Sequence, residues 1–377
     1  MTPRERLKRT LNHKGPDRIA IDLGGAASSL NDEAYFKLKE YMGIQGDIKP
    51  FRSGTTTNYY DERILDALEI DLRRIILPKT DRFPAFCPDG SFYNEWGIRY
   101  AKKGEYYEIV ENPLTHADGT QIMQHNWPEA INVFNPNGLR EYAAQLYERT
   151  EYAIVARMPT WGLFDIACQL RGTEQFLIDM ITDSKTACLL VENILSCQME
   201  FYDMLLDQVG DYVQMVETCD DYGSQNALLF SPKLYRKIIK PYRIQLNNLI
   251  RKKAPGAKIF FHCCGAIFDL IPDLIESGVE VLNPIQPNAA GMDAGRLKKT
   301  YGSELCFHGG IDTQKALRGT GKDIAREVQE KIDILFQDGG YILAPANHIM
   351  SDVPPQNVIT MYEMAKHYGK SEYKERL

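Results

Sequence analysis

The sequence has no apolar run near the ~18 residues that would mark a membrane span. Its opening stretch, MTPRERLKRTLNHKGPDR, is charged and lacks the apolar centre of a secretory leader. A cytoplasmic protein is expected, with no membrane partner. Basic residues are not in excess: 44 Lys and Arg against 51 Asp and Glu give a formal charge of −7, which argues against a nucleic-acid partner. Cysteine is sparse, with eight residues in 377, so a disulfide framework is not expected in a reducing cytosol. Repeats, low-complexity tracts and Pro/Ser linkers are lacking. A length prior of about 150 residues per domain suggests two or three domains, but one α/β barrel needs ~250 residues or more. A single domain over residues 1–377 is therefore expected. The 44% hydrophobic and 25% charged content excludes a disordered chain.

Eight short β-branched or aromatic runs end in Gly, Pro, Asp or His: Arg18–Leu23, Leu72–Leu77, Tyr152–Met158, Tyr212–Thr218, Ala257–Phe261, Val279–Leu282, Leu305–Phe307 and Gly340–Leu343. Amphipathic segments separate many of them, notably 231–253, 266–277 and 323–336, with Pro241 predicting a kink or break in the first. Such alternation implies parallel strands with right-handed crossovers, and eight of them suggest a closed (β/α)8 TIM barrel. No GxGxxG follows the first strand, so a dinucleotide site there lacks support. Residues 81–127 break the alternation. They read as a β-hairpin or meander, with turns at Asp89-Gly90 and Lys103-Gly104, inserted over one end of the barrel.

Chemistry concentrates at strand ends, where barrel enzymes build their sites. In FFHCCG, residues 260–265, His262 and Cys264 lie on the same side of a strand and can converge on one ion, with Cys263 turned away. Imidazole and thiolate are zinc ligands, and three protein ligands with one open position define a catalytic zinc site. The plain alternative is a buried histidine with two small apolar cysteines. After the last strand, His348 is a candidate third ligand, beside the poorer donor Asn347. Asp221, in CDDYGSQ, suits acid–base work or a substrate cation, or caps the next helix. Tyr222 and Gln225 adjoin it. In HGGID, Gly309 and Gly310 would let backbone approach a ligand, and Asp312 would act in the site or cap a helix. Asp165, Gln169 and Gln286 offer further polar groups for substrate. Arg52, Arg73, Arg74, Arg157 and Arg171 are the basic candidates near strands.

Taken together, these motifs resemble the uroporphyrinogen decarboxylase superfamily of (β/α)8 barrels over nearly the whole chain. The resemblance rests on TPRERLKRTLNHKGPDRIAID, ACQLRGTEQFL, DDYGSQNALLFSPKLYRKIIKPY, HCCG, LNPIQPNAAGMDAGRLKKTYG, FHGGIDTQKAL and YILAPANHIMSDVPPQNVITMYEMAKHYG. The decarboxylases themselves carry RQAGRY early, an Asp, a Tyr and a late His. Here AASSLND follows the first strand, and Pro78, Cys168 and Asn347 fall near the other three places. The chain looks closer to the cobamide-dependent, methylcobalamin:coenzyme M type methyltransferases, whose pattern is HxC after a strand and a further Cys near the last one. His262 and Cys264 match the first part, while Asn347, followed by His348, stands at the second.

The resemblance implies Zn2+ on His262 and Cys264; the expected third ligand is His348, next to the family's third position at Asn347, and Asp221, Asp312 and Asn347 are expected in the catalytic set. It implies a methylcorrinoid (cobalamin) supplied by a partner corrinoid protein, and a small-molecule acceptor, a thiol or similar nucleophile, that attacks the methyl group. A decarboxylase of a tetrapyrrole or small carboxylate is the alternative, and a non-catalytic corrinoid-binding protein a third. A monomer or homodimer is expected.

Overall fold

The computed structural model describes residues 1–25, 27–104, 106–337 and 339–370. In chain order the strands are β1 (Ala20–Ile21), β2 (Leu72–Ile75), β3 (Ala85–Phe86), β4 (Phe92–Tyr93), β5 (Arg99–Lys103), β6 (Tyr106–Glu111), β7 (Ala153–Ala156), β8 (Met215–Cys219), β9 (Lys258–His262), β10 (Val281–Asn283), β11 (Cys306–Ile311) and β12 (Tyr341–Pro345). Eight form one parallel sheet in the order β1-β12-β11-β10-β9-β8-β7-β2, with helices between them. Each lies within or beside one of the eight runs expected from the sequence.

The sheet curls into a nearly closed barrel. Its two end strands, β1 and β2, share no ladder, and Asp71 spans the gap. The Asp71 N–H donates to the Ile21 carbonyl at 3.1 Å, and the Asp71 carboxylate accepts the Ile21 N–H at 2.9 Å. Arg6 and Arg18 hold that buried carboxylate.

Side-chain alternation along parallel strands sorts the barrel interior into layers. The lower layer is apolar: Ala20, Leu72, Val155, Met215, Phe260, Val281, Cys306 and Ile342 pack into one buried cluster. Leu7 and Leu11 of the helix Pro3–Leu11 join it and plug the N-terminal end. Two residues further along the same strands, the interior turns polar: Asp22, Arg74, Arg157, Glu217, His262, Asn283 and His308, all buried. The second layer faces the C-terminal mouth.

The insertion is a four-stranded antiparallel meander, β3-β4-β5-β6. Gly90 and Gly104 adopt positive φ at the two expected turns, and a third turn at Glu95–Ile98 joins β4 to β5. Pro241 also acts as expected. The chain passes through a π turn at Tyr235–Ile239 before the helix Lys240–Lys253, because proline cannot donate into the preceding turn. The segment 266–277 is less regular than its periodicity suggests, a 3-10 turn at Phe268–Leu270 followed by the helix Ile271–Glu276. No helix among the described residues is long and apolar enough to cross a membrane.

Candidate active site

Strand register assembles the centre. Cys219 on β8 pairs with His262 on β9, and Asn283 on β10 pairs with the same His262. Two residues past the end of each strand, Asp221 therefore comes opposite Cys264. The Asp221 Oδ1 atom accepts the Cys264 N–H at 2.7 Å. His262 Nε2 lies 3.4 Å from Cys264 Sγ and 3.7 Å from Asp221 Oδ1. The ligand atoms of Asp221, His262 and Cys264 all fall within 4.8 Å of one another.

These residues fit a zinc ion. Nitrogen, thiolate and carboxylate are its ordinary donors, and bonds of ~2.0–2.3 Å in a tetrahedron set ligand atoms ~3.3–3.8 Å apart. Burial pulls the His262 imidazole down, but Cys264, Asp221 and Asn283 push it up to about 10. Electrostatics that hold a proton at this point also favour a divalent cation. Cys263 is turned away, its sulfur accepting the Tyr222 N–H at 3.4 Å.

A buried chain of hydrogen bonds orients His262. Its Nδ1 lies 2.6 Å from Asn283 Oδ1, Asn283 Nδ2 lies 2.7 Å from His308 Nδ1, and His308 Nε2 lies 2.7 Å from Asp22 Oδ2. An amide oxygen only accepts, so His262 Nδ1 carries the proton and donates. An amide nitrogen only donates, so His308 Nδ1 is bare and His308 Nε2–H donates to Asp22. His262 Nε2 is thereby aimed at Cys264 and Asp221. Asp22 anchors the chain. Burial would raise its carboxyl, but Arg74 and then His308 hold it well below the usual carboxylate range. Arg74 also reaches Glu217 at 3.0 Å. Polar residues in or just past seven strands could have signalled this layer; sequence reasoning singled out His262 and missed Asn283 and Asp22 entirely.

Other expected site residues are placed differently. His348 stands outside the trio: its Nδ1 accepts the Ser29 N–H at 3.2 Å, and its ring lines a separate cavity. Burial, then Arg52, Arg157 and His262, lower its imidazole to about 3. Asn347 is exposed, and its side-chain oxygen accepts the His348 N–H at 2.7 Å. Asp312 caps a turn, accepting the Gln314 and Lys315 N–H groups at 2.7 and 3.2 Å, and also takes a bond from Asn288. Tyr222 is fully buried among Phe164, Phe230, Tyr235 and Phe261, its hydroxyl donating to Asp220 at 2.8 Å, so it does not face substrate.

Gly309 and Gly310 serve packing. A Cβ on Gly309, at φ +103°, would meet the Pro284 carbonyl oxygen at 2.2 Å, and the Gly310 N–H is already bonded to that oxygen. Gln225 and Gln286 bond each other and brace loops, Gln286 Oε1 accepting the Gly265 N–H at 3.0 Å. Asp165 does join the centre, accepting the Asp221 N–H at 3.2 Å. Burial, and then the charges of Asp220 and Asp221, push its carboxyl well above the usual range. Gln169, one turn further along the helix Leu163–Arg171, accepts the Tyr100 hydroxyl at 3.0 Å and lines the cavity. Arg171 is a structural ion pair with Asp179.

Residues 139–368 match the family model of uroporphyrinogen decarboxylase (URO-D), more than half of the chain. The chain belongs to the URO-D family. Among solved structures, a methyltransferase from Methanosarcina mazei is similar over 98% of this chain and 99% of its own, with TM-score 0.65 and 14% identity. That likeness shows the fold. An endo-1,4-beta-xylanase from Caldicellulosiruptor owensensis matches over 56% of this chain and 71% of its own, with TM-score 0.36 and 11% identity, too weakly to carry any argument. No curated relative matches the chain. The family match covers the trio, Asn283 and His308, whereas Asp22 and Arg74 lie before it.

Proposed function

We propose that this URO-D family protein is a zinc-dependent methyltransferase, moving a methyl group from a methylated corrinoid on a partner protein to a thiol or similar acceptor. The observation that carries the reading is the His262–Cys264–Asp221 trio at the barrel mouth, with His262 Nε2 held toward the other two donors. Zinc bound there would hold an acceptor thiol as its thiolate at neutral pH.

The chain's own residues do the rest. Asn283 keeps His262 in one tautomer, so metal binding needs no ring reorientation. Asp221 supplies a carboxylate and, by accepting the Cys264 N–H, fixes the loop that presents the thiol. Asp165, whose carboxyl is pushed well above the usual range by burial, accepts the Asp221 N–H and so helps to place Asp221 beside the other two donors. The full M. mazei methyltransferase likeness supports the assignment at the level of fold.

Metal analysis with turnover tests it. Purified protein should contain one zinc per chain and should demethylate free methylcobalamin in the presence of a thiol, followed by the loss of its absorbance. Cys264→Ala should lose both. Protein that holds no zinc and leaves methylcobalamin unchanged would move the function to the decarboxylase alternative.

A further inference from the structure

Among the described residues, three other than glycine adopt positive φ: His13, Glu69 and Ile285. Ile285, at φ +49°, is the one that is β-branched, and it is also buried, at 1% exposed. A left-handed backbone crowds Cβ against the following carbonyl, and a branched Cβ worsens the crowding. Such a residue is a genuine outlier, and its conformation persists only where the surroundings over-determine it.

The surroundings of Ile285 do so from both sides. Before it, the chain is pinned to both neighbouring strands. The Asn283 carbonyl accepts the Cys263 N–H at 2.8 Å, and the Pro284 carbonyl accepts the Gly310 N–H at 2.9 Å. The Ile285 side chain itself joins the main apolar core. After it, Gln286 reaches back over the end of β9. Its Oε1 accepts the Gly265 N–H at 3.0 Å, and its Nε2 donates to Gln225 Oε1 at 3.2 Å.

Asn283 and Gln286 thereby grip opposite ends of one short segment. Asn283 Oδ1 holds the His262 ring at 2.6 Å, and Gln286 holds the backbone of the residue after Cys264. Residues 262–265 carry two of the three donors of the trio. With Asn283 pinned, the backbone conformation at residue 285 decides where Gln286 points. An extended or right-handed residue there would send Gln286 away from Gly265.

We propose that Ile285 is a positioning residue for the centre: its buried side chain enforces a left-handed turn that lets Asn283 and Gln286 hold His262 and the Cys264 loop at once. The strain of the turn is kept because it fixes the spacing of the two donors before an ion arrives. The gain in metal binding rests on the zinc reading above, whereas the hold on His262 is a property of the metal-free chain.

The test compares Ile285→Gly, Ile285→Ala and Ile285→Val in the full chain. Melting temperature of the metal-free proteins reads the strain. Glycine ordinarily destabilises relative to alanine, but at a left-handed position the order reverses, so Ile285→Gly should melt above Ile285→Ala. NMR of the same proteins with 15N-labelled histidine reads the positioning. The buried His262 Nδ1–H should give a slowly exchanging proton signal, identified by its absence from His262→Gln. Ile285→Val should keep that signal, and Ile285→Gly should lose it to solvent exchange. Zinc affinity, by chelator competition, should fall roughly tenfold or more in Ile285→Gly and stay at the wild-type value in Ile285→Val. Should Ile285→Gly fail to fold, Gln286→Met, which cuts the grip on Gly265 and leaves Ile285 in place, should weaken zinc binding to a similar degree; unchanged affinity there counts against the proposal. Ile285→Ala melting at or above Ile285→Gly, or an Ile285→Gly protein with the wild-type His262 signal and zinc affinity, overturns it. The two readings fail separately. A wild type that takes up no zinc, but whose His262 signal responds as described, loses only the methyltransferase assignment. Zinc uptake with no response to substitution at residue 285 loses only the positioning role.

Discussion

His262 Nδ1 and Asn283 Oδ1 are 2.6 Å apart inside the barrel, and that contact decides which way the histidine can coordinate. Register places Asn283 directly beside His262 on the neighbouring strand. Partners of this kind typically change metal affinity by ~10–100-fold when removed. Asn283→Leu should weaken zinc binding by about that factor while the barrel stays folded, whereas Asn283→Asp, which keeps an acceptor, should retain most of it. Competition titration against a zinc chelator reads the difference, and equal affinity in all three proteins would remove Asn283 from the account.

The two adjacent cysteines should separate cleanly. Cys264→Ala should lose the metal. Cys263→Ala should keep it and pay only in thermal stability, because Cys263 packs beneath Tyr222 and accepts its N–H. Zinc retention after dialysis together with melting temperature distinguishes them, and the reverse pattern contradicts the site.

Asp221, and not His348, has a ligand atom within 4.8 Å of those of His262 and Cys264, so the proposed zinc site takes it as third ligand where sequence reasoning favoured His348. Asp221→Ala should abolish zinc retention, and His348→Ala should leave it intact. If His348→Ala loses zinc and Asp221→Ala keeps it, the loop after β12 must reorganise when metal binds.

Much of this was legible in the sequence. All eight barrel strands follow from β-branched runs closed by breaker residues, because buried parallel strands need continuous apolar stretches that helices do not. His262 and Cys264 followed from period-two alternation. Asp221 as their partner did not, although register contains it: only after Cys219 pairs with His262 does Asp221 face Cys264. Gly309, Gly310 and Tyr222 were drawn toward the site by adjacent motif residues, while their actual surroundings are the Pro284 carbonyl and a buried aromatic cluster. Adjacency in sequence does not fix the side on which a residue packs. Arg157 was visible only as one of several basic residues near strands, since its lack of an ion pair among the described residues is a property of three dimensions.

Acidity gives a further test. In the metal-free protein His262 is raised to about 10, above an unfolded value of ~6.5. Its contribution to stability is therefore fully present below ~6.5 and is lost as pH rises through about 10. Asp221→Asn removes one of the charges that raise it and should move this loss to lower pH. Zinc must displace the same proton, so metal uptake near neutral pH should release protons and tighten as pH rises. Calorimetry in buffers of different ionisation enthalpy measures the release; no release, with affinity independent of pH, contradicts the electrostatics of the trio.

X-ray absorption at the zinc edge of the purified protein tests the central claim most directly. The account predicts one sulfur scatterer at ~2.3 Å with nitrogen and oxygen at ~2.0–2.2 Å, and loss of the sulfur shell in Cys264→Ala. A zinc environment without sulfur, or protein that takes up no zinc, would contradict it.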